Sequence, residues 1–430
     1  MSASPNLPML DVLLLDAQQR QTLTSLRSLD RAGLRVGVAA CVDHAAAAPA
    51  MHSRRSDARS TLAELGRRGA FTDSLIALLD DRPARAIIPA HDGTIEAIRS
   101  RRADLAQRTH LALAGDAALE IAVSKSKTLR VAERLGIATP RAVELCAEAD
   151  VVPAVAAIGL PIVVKPDSSW VERNGTGSRV ASYLAHSVAE TQYACELIVA
   201  AGGRVLLQQW LPGRRDAVSL FIVGDSVRAR FAQTSYREYP ALGGVTVLCE
   251  GLPLIDDIVT PAEHLALSIG LDGPSMIEFR RDATGRPVLM EVNPRMGGSV
   301  SLAIRSGVDF PRLTYDWAIG EAVPEITSYR VGRRVRWLSV DLWNLKKSFD
   351  SPGLPDVPNR RRALVRFIAD FAVRPSAIEP FDSHDLMPAI VDLAGNVLGP
   401  VKRKLTGRRM SANPIRESEP PIQERWPAIP

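Results

Sequence analysis

Three polar residues at alternate positions, Glu291, Asn293 and Arg295, follow an apolar run that begins at Pro287. Alternate side chains of an extended strand point to one face, so the three are predicted to project together at the end of a buried strand. Carboxylate and amide oxygens suit Mg²⁺, and a planar guanidinium suits phosphate. The pattern indicates a site for a divalent cation and a nucleoside triphosphate; the alternative is an ordinary strand end on a solvated face.

A second carboxylate, Glu278, lies within the apolar run of residues 275–282. Residues 283–286 are typical of a hairpin turn, so the two runs are predicted to pair as antiparallel strands. Glu278 and Glu291 would then face each other, and two buried carboxylates repel unless a cation lies between them. The pair of strands therefore favours a metal site more strongly than either strand does alone.

Other polar positions upstream are compatible with nucleotide binding. Lys165 ends the apolar run of residues 161–166, and the polar loop after it contains Gly175 and Gly177, whose backbone N–H groups can approach phosphate. Lys125 lies at the start of a helix predicted over residues 124–135. The run Gln208, Gln209, Trp210 and Leu211 ends a strand whose edge could hold an adenine. Each feature also has a structural interpretation: a lysine at a strand end, a solvated helix start, and a buried strand.

Taken in this order along the chain, these features resemble the ATP-grasp superfamily over about residues 120–320. Residues 290–295 followed by residues 307–311 are similar to the carbamoyl-phosphate synthase and biotin carboxylase branch. Three departures are Ser124 where the family often has Asp, glutamines in the hinge where it often has Glu, and a long flap that includes Trp170.

The resemblance implies a role for each matching residue. Phosphate contacts are assigned to Lys125 and Lys165, and Lys127 does not fit the spacing. The flap over the triphosphate is assigned to Gly175, Thr176, Gly177 and Ser178. Adenine and further nucleotide contacts are assigned to Gln208, Gln209, Trp210, Leu211 and Asp216. Metal binding is assigned to Glu278, Glu291 and Asn293, and stabilisation of the transferring phosphoryl group to Arg295 and Lys165.

The predicted fold class is α/β and α+β, with a parallel β/α domain preceding a two-lobed ATP-grasp fold. Strand–helix–strand patterns place the first domain at residues 1–115. The ATP-grasp domain is predicted over 116–328, with a flap-bearing lobe at 116–203 and a metal-binding lobe at 204–328. A mostly helical extension is predicted for 329–410 and a disordered tail for 411–430.

The resemblance implies ATP and Mg²⁺ (or Mn²⁺) as cofactors and a two-step ligase reaction. A substrate carboxylate is phosphorylated to an acyl phosphate, and an amine or similar nucleophile then displaces phosphate. The alternatives are a bicarbonate-using carboxylase or carbamoyl-phosphate-type synthetase, and a non-catalytic ATP-binding module in cell-envelope or polysaccharide assembly. The expected partners are small-molecule carboxylates and amines, without nucleic acid, and the family suggests a homodimer.

Two further residues have open roles. Asp92 follows a predicted strand and begins a helix, so an N-cap is the favoured interpretation and a substrate contact the alternative. Arg237 lies between the hinge and the metal strands, where it could grip a carboxylate or lie on a surface loop.

Composition is that of an ordinary globular protein. The chain has 430 residues, 46% hydrophobic and 23% charged, with a net charge of +5. Its four cysteines are scattered without metal-ligand spacing, and no signal peptide or membrane span is recognisable, so a cytoplasmic protein is expected. The basic run at residues 402–409 is expected to be a solvated tail, with peripheral membrane contact as the alternative.

Overall fold

Parallel strands form the sheet of the first domain, as the strand–helix–strand pattern predicts. The computed structural model describes residues 9–67, 69–146, 150–173, 175–239, 244–350, 359–372 and 375–398. The first elements are β1 (Leu10–Leu14), α1 (Arg20–Arg31), β2 (Val36–Cys41), β3 (Ala58–Leu62), α2 (Ala70–Asp81), β4 (Ala84–Ile88), α3 (Asp92–Ser100), α4 (Arg102–Ala106), β5 (His110–Leu111) and α5 (Asp116–Ala122). The strand order is β3-β2-β1-β4-β5, and every pair is parallel. Strand β3 has little apolar periodicity and was not predicted.

A small antiparallel sheet forms the flap-bearing lobe. Its elements are α6 (Lys125–Arg134), β6 (Ala142–Glu144), α7 (Val151–Ile158), β7 (Ile162–Pro166), β8 (Trp170–Arg173), β9 (Thr176–Arg179), β10 (Tyr183–Ala185), α8 (Val188–Ala200) and β11 (Val205–Gln209). The sheet order is β10-β7-β11-β6, while β8 and β9 form a separate hairpin. Helices α7 and α8 contribute Val155 and Ile198 to a core shared with Val164 of β7. The segment predicted as a polar loop is therefore a two-stranded flap.

A seven-stranded sheet forms the metal-binding lobe. Its elements are β12 (Arg215–Val223), β13 (Ser226–Tyr239), β14 (Val245–Leu252), α9 (Asp256–Ile269), β15 (Gly273–Arg281), β16 (Pro287–Asn293), α10 (Val300–Ser306), α11 (Phe310–Ala318), β17 (Arg334–Trp337), α12 (Leu338–Asp350), α13 (Arg360–Ala372), β18 (Ala377–Glu379) and α14 (Met387–Leu393). The order is β16-β15-β12-β13-β14-β17-β18.

The predicted boundary at residue 328 does not divide this sheet. Strand β17 pairs with β14 through Cys249 and Val335, and β18 pairs in parallel with β17. Within its described residues, the predicted mostly helical extension thus supplies two strands to the large sheet as well as helices α12, α13 and α14. The predicted tail from residue 411 and the basic run at 402–409 lie outside the described residues. Within the described part of the chain, no helix combines the length and the apolar character needed to cross a bilayer.

Candidate active site

The two glutamates of the predicted metal pair face each other across β15 and β16. Glu278 is the register partner of Glu291, and Met276 is the partner of Asn293, so all of these side chains lie on one face of the sheet. A β-bulge makes this possible. Phe279 pairs with Leu289, whereas Glu278 pairs with Glu291, so Met290 is the extra residue. Without the bulge, Glu291 would point to the opposite face.

Positive side chains surround the two carboxylates. Arg215 Nη1 lies 3.3 Å from Glu278 Oε2, and Lys125 Nζ lies 3.5 Å from Glu291 Oε1. Burial raises the pKa of Glu278, and Glu291 adds to the increase while Arg215 opposes it. Burial acts in the same direction on Glu291, but Lys125 and Lys165 outweigh it and lower the pKa of Glu291. Glu291 is therefore readily ionised, whereas the ionised form of Glu278 would be stabilised by a further cation.

The two lysines are brought together by Asp167. Ser124 is the N-cap of α6, and its hydroxyl donates to Asp167 Oδ2 at 2.9 Å. The backbone N–H of Ser126 donates to Asp167 Oδ1 at 2.8 Å, and the N–H of Lys125 donates to the Asp167 carbonyl at 3.0 Å. Asp167 follows the last residue of β7, so the strand that bears Lys165 is tied to the helix that begins with Lys125. Ser124 thus acts as a helix cap.

Lys165 is half-buried between the two lobes, and its pKa lies well below that of an ordinary lysine. Burial lowers the pKa of Lys165 to about 8, and Lys125 and Arg280 lower it further, while Glu291 and Glu278 oppose the change. An incoming phosphate would supply the missing negative charge. Lys127, in contrast, is partly exposed and forms an ion pair with Glu120.

Arg295 lies beyond the end of β16 and forms a bidentate ion pair with Asp92 of the first domain. The Nε–Oδ1 distance is 2.6 Å and the Nη2–Oδ2 distance is 3.3 Å. Burial would raise the pKa of Asp92, but the Arg295 guanidinium holds it well below its usual range. The N-cap prediction for Asp92 is wrong: the cap of α3 is His91, whose Nδ1 accepts from the Gly93 N–H. Arg295 therefore joins the metal strands to the first domain.

The flap is folded against the first domain. The Gly177 N–H donates to the Gly66 carbonyl at 2.8 Å, and Thr176 forms a bridge with Arg67. The Trp170 ring meets His91 edge-on, with ring centroids 5.6 Å apart and an interplanar angle of 89°. The Gly177 N–H thus holds the flap against the first domain, and Thr176 takes part in the same contact. Of the four predicted flap residues, Gly175 and Ser178 are the ones outside this contact.

The hinge differs from its prediction in one respect. Strand β11 is not an edge strand: Gln208 pairs with Val163 of β7 and with Ala142 of β6, so its backbone is used on both sides. Gln208 is 1% exposed, yet its side-chain Oε1 has no hydrogen-bond partner among the described residues. The indole Nε1 of Trp210 is also buried without a hydrogen-bond partner among them. Buried polar atoms of this kind are rare and suit a ligand that completes them. Gln209 lies between these two residues in the chain, and the buried Leu211 follows Trp210.

Two predicted or candidate contacts lie elsewhere. Asp216 is fully buried on the opposite face of β12 from Glu278, where Arg281 Nε and Arg214 Nε lie 2.7 and 3.2 Å from its carboxylate. Both arginines form ion pairs with the Asp216 carboxylate, so we do not include Asp216 in the candidate site. Arg237 is neither a surface arginine nor available to a substrate, because it pairs with Asp341 at 2.6 Å and with Asp370 at 2.9 Å.

The donor set fits Mg²⁺. The described residues contain no cluster of three His, Cys, Asp or Glu side chains arranged as a complete metal cage. Mg²⁺ commonly binds through one or two carboxylates and completes its shell with phosphate and water. Glu278 and Glu291 would supply these carboxylates, and Asn293, 8% exposed on the same face, would supply an amide oxygen.

Sequence reasoning missed the ionic network beside this pair. Arg215 lies 3.4 Å from Glu238, and Arg280 Nη2 donates to Glu238 Oε2 at 2.6 Å. Arg215 and Arg280 are register partners on the face of Glu278. Arg215 and Arg280 lie on that face because side chains alternate along β12 and β15. Counting alternate positions from Glu278 could therefore have identified Arg280, and its register partner Arg215, from the sequence.

Comparisons with known proteins give a family model and relatives in sequence. Residues 243–340 match a family model described as an ATP-grasp in the biosynthetic pathway with Ter operon. The chain is 28% identical over 213 residues to D-alanine–D-alanine ligase B of Pseudomonas putida, covering 46% of this chain and 64% of that protein. The chain thus spans less than two thirds of the length of this relative.

Solved structures show the same fold. The biotin carboxylase of Campylobacter jejuni, in a β-γ-ATP complex, aligns with a TM-score of 0.60 at 16% identity, over 76% of this chain and 74% of that one. The L-amino acid ligase of Bacillus licheniformis aligns with a TM-score of 0.53 at 18% identity, over 73% and 75% of the two chains. With the paired glutamates, two lysines and flap in place, the chain belongs to the ATP-grasp superfamily.

Proposed function

We propose that this protein is an ATP- and Mg²⁺-dependent ligase that activates a carboxylate as an acyl phosphate and joins it to an amine. The observation that carries the proposal is the Glu278–Glu291 register pair with Lys125 and Lys165 beside it. Fixed positive charge around paired carboxylates suits transfer of a phosphoryl group, whose charge is spread over several oxygens. The similarity to a D-alanine–D-alanine ligase supports carboxylate–amine chemistry.

The chain's own residues hold the reactants. Lys125 and Lys165 bind phosphate oxygens, the buried amide of Gln208 and the indole of Trp210 meet the adenine, and the flap excludes water. Mg²⁺, held by Glu278, Glu291 and Asn293, supplies charge neutralisation at the phosphates. Arg295, fixed by Asp92, faces the transferred group.

Atoms balance in two displacements. A carboxylate oxygen of the first substrate attacks the γ-phosphorus, and the bond from that phosphorus to the bridging oxygen breaks, which releases ADP. The amine nitrogen then attacks the acyl carbon, the bond to phosphate breaks, and the amine proton leaves to solvent or phosphate. The products are an amide, ADP and inorganic phosphate, and no protein nucleophile is needed.

The test is phosphate release from Mg·ATP over paired amino acids and small carboxylates, with bicarbonate as a separate arm. Hydroxylamine in place of the amine should trap the acyl phosphate as a hydroxamate. Glu291→Gln is expected to lower the rate about 100-fold or more, whereas Lys127→Met, a partly exposed lysine of the same helix α6, should match the unaltered protein. Turnover only with bicarbonate would support a carboxylase instead. ATP binding without turnover in any mixture would indicate a binding module.

A further inference from the structure

A large cavity lies apart from the nucleotide residues, between the first domain and the end of the seven-stranded sheet. Its volume is about 1380 Å³, above the roughly 300–1,000 Å³ typical of small-molecule sites. Helix α1 forms one wall, strands β17 and β18 another, and α14 with the loop before it a third. None of Lys165, Glu278, Glu291 and Arg295 lines it.

The cavity wall is rich in arginine. Its arginines are Arg20, Arg27, Arg31, Arg55, Arg305, Arg330, Arg333 and Arg334, and its carboxylates are Glu250, Glu379, Asp382 and Asp392. A wall with twice as many guanidinium groups as carboxylates favours an anionic occupant.

Every carboxylate of the wall is already engaged. Glu379 pairs with Arg20, and Glu250 pairs with Arg334. Asp382 lies 3.7 Å from Arg55 and also pairs with Arg27.

The remaining carboxylate of the wall, Asp392, is buried and engaged in hydrogen bonds. Its side chain accepts from Trp337 Nε1 at 3.1 Å and from the Ser339 hydroxyl. Burial raises the pKa of Asp392 to about 6, so its charge is partly lost in mildly acidic solution.

Four arginines of the wall are left without a counter-charge. Within the described ranges, no carboxylate lies in ion-pair distance of Arg31, Arg305, Arg330 or Arg333, all of which are exposed at the mouth. Guanidinium groups in this state bind phosphate or carboxylate oxygens with two parallel hydrogen bonds.

Two deeply buried polar atoms add a second, independent observation. Ser301 and Gln18 both line the cavity and are each 8% exposed, and neither Ser301 Oγ nor Gln18 Oε1 has a hydrogen-bond partner among the described residues. A buried polar atom without a partner destabilises the protein, because its hydration is lost and not replaced. A bound molecule with its own donors and acceptors would satisfy both.

We propose that this cavity is a binding site for a small polyanion that carries two or more phosphate or carboxylate groups. The uncompensated arginines at the mouth bind the charged groups, and Ser301 and Gln18 contact the polar body. The site also adjoins the nucleotide site. Arg20 donates to the Thr246 carbonyl at 2.8 Å, and Arg215, which pairs with Glu278, donates to the Thr246 hydroxyl at 2.5 Å.

The experiment is calorimetric titration of the full chain with pyrophosphate and with citrate, at constant ionic strength and with saturating Mg·ADP to block the nucleotide site. Binding of either probe is expected, and Arg330→Gln with Arg333→Gln should weaken it at least about 10-fold, since each removes charged hydrogen bonds. Binding of pyrophosphate alone assigns a phosphate ligand, and binding of citrate alone a carboxylate ligand.

The controls separate this site from the others. Arg286→Gln removes an exposed arginine from the β15–β16 turn and should leave binding unchanged. Lys165→Met, which tests the phosphate contact of the nucleotide site, should also leave it unchanged. The proposal is overturned if neither probe binds, or if binding survives the Arg330/Arg333 change; loss of that binding with Lys165→Met would then assign the probe to the nucleotide site. Both mouth arginines are exposed, so circular dichroism should confirm that the double variant remains folded.

Discussion

The substitution Gly93→Ala should release the flap from the first domain. Gly93 is buried beside the Trp170 ring, and a Cβ atom built there lies 2.6 Å from two of its carbons. Ordinary contact begins at 3.4 Å, so the indole has to move by about 0.8 Å. Gly177 confines the same ring, with a Cβ position 2.5 Å from it. The ring therefore cannot move without shifting the hairpin.

The expected cost follows from the contacts that are lost. Overpacking of a filled site costs about 1–3 kcal/mol, and the edge-on contact between Trp170 and His91 is worth about 0.5–1.5 kcal/mol. A combined destabilisation of the docked flap by about 2 kcal/mol corresponds to an opening equilibrium about 30-fold larger.

Hydrogen exchange of the Gly177 amide measures this directly, because that N–H is bonded to Gly66 only while the flap is docked. Its exchange should be about 30-fold faster in Gly93→Ala. Gly115→Ala is the matched control: its φ is −61°, and a Cβ there meets nothing within 4 Å. Adding Trp170→Phe to Gly93→Ala should restore slow exchange, since the smaller ring leaves room for the new methyl group. Unchanged Gly177 exchange in Gly93→Ala would refute the view that Trp170 holds the flap.

Three other predictions concern charged residues. Asp92→Asn should slow phosphate release about 10-fold by freeing the Arg295 guanidinium, and steady-state kinetics that stay at the original rate would rule out this positioning role. The proposed phosphate contact requires protonated Lys165, whose pKa is about 8, so ATP affinity should fall about 10-fold between pH 7 and 9; in Lys165→Met, calorimetry should show this dependence abolished. Mn²⁺ affinity should rise with pH as Glu278, whose pKa is raised, loses its proton; a pH profile of Mn²⁺ binding that is the same in Glu278→Gln would contradict this assignment.

The local part of the site was predictable from sequence. Two apolar runs and a short turn determine the β15–β16 hairpin, because residues close in the chain pair with little loss of loop entropy. The same reasoning located the helix of Lys125 and the strand of Lys165. Their meeting depends on Asp167, which accepts hydrogen bonds from Ser124, the N-cap of that helix 43 residues earlier, and from the N–H of Ser126.

The distant contacts were not predictable in this way. Asp92 and Arg295 are 203 residues apart, and nothing in the pattern around either residue specifies the other. The bulge at Met290 is also invisible to simple alternation, since the extra residue is apolar like the run that precedes it. The pairing of β11 with β6 was also not predictable, because β6 is only three residues long and has no apolar pattern of its own. For this reason the sequence indicates a strand edge at Gln208.

The pairing of β14 with β17 determines where the chain can be shortened. A protein that ends after residue 328 would lose β17, and the backbone groups of residues 248–250 would be left at an open sheet edge. Open edges pair readily with other chains, so such a fragment is expected to aggregate even though it retains both glutamates and both lysines. Expression of the lobe with the seven-stranded sheet in soluble form therefore requires the chain at least through β18, which ends at Glu379.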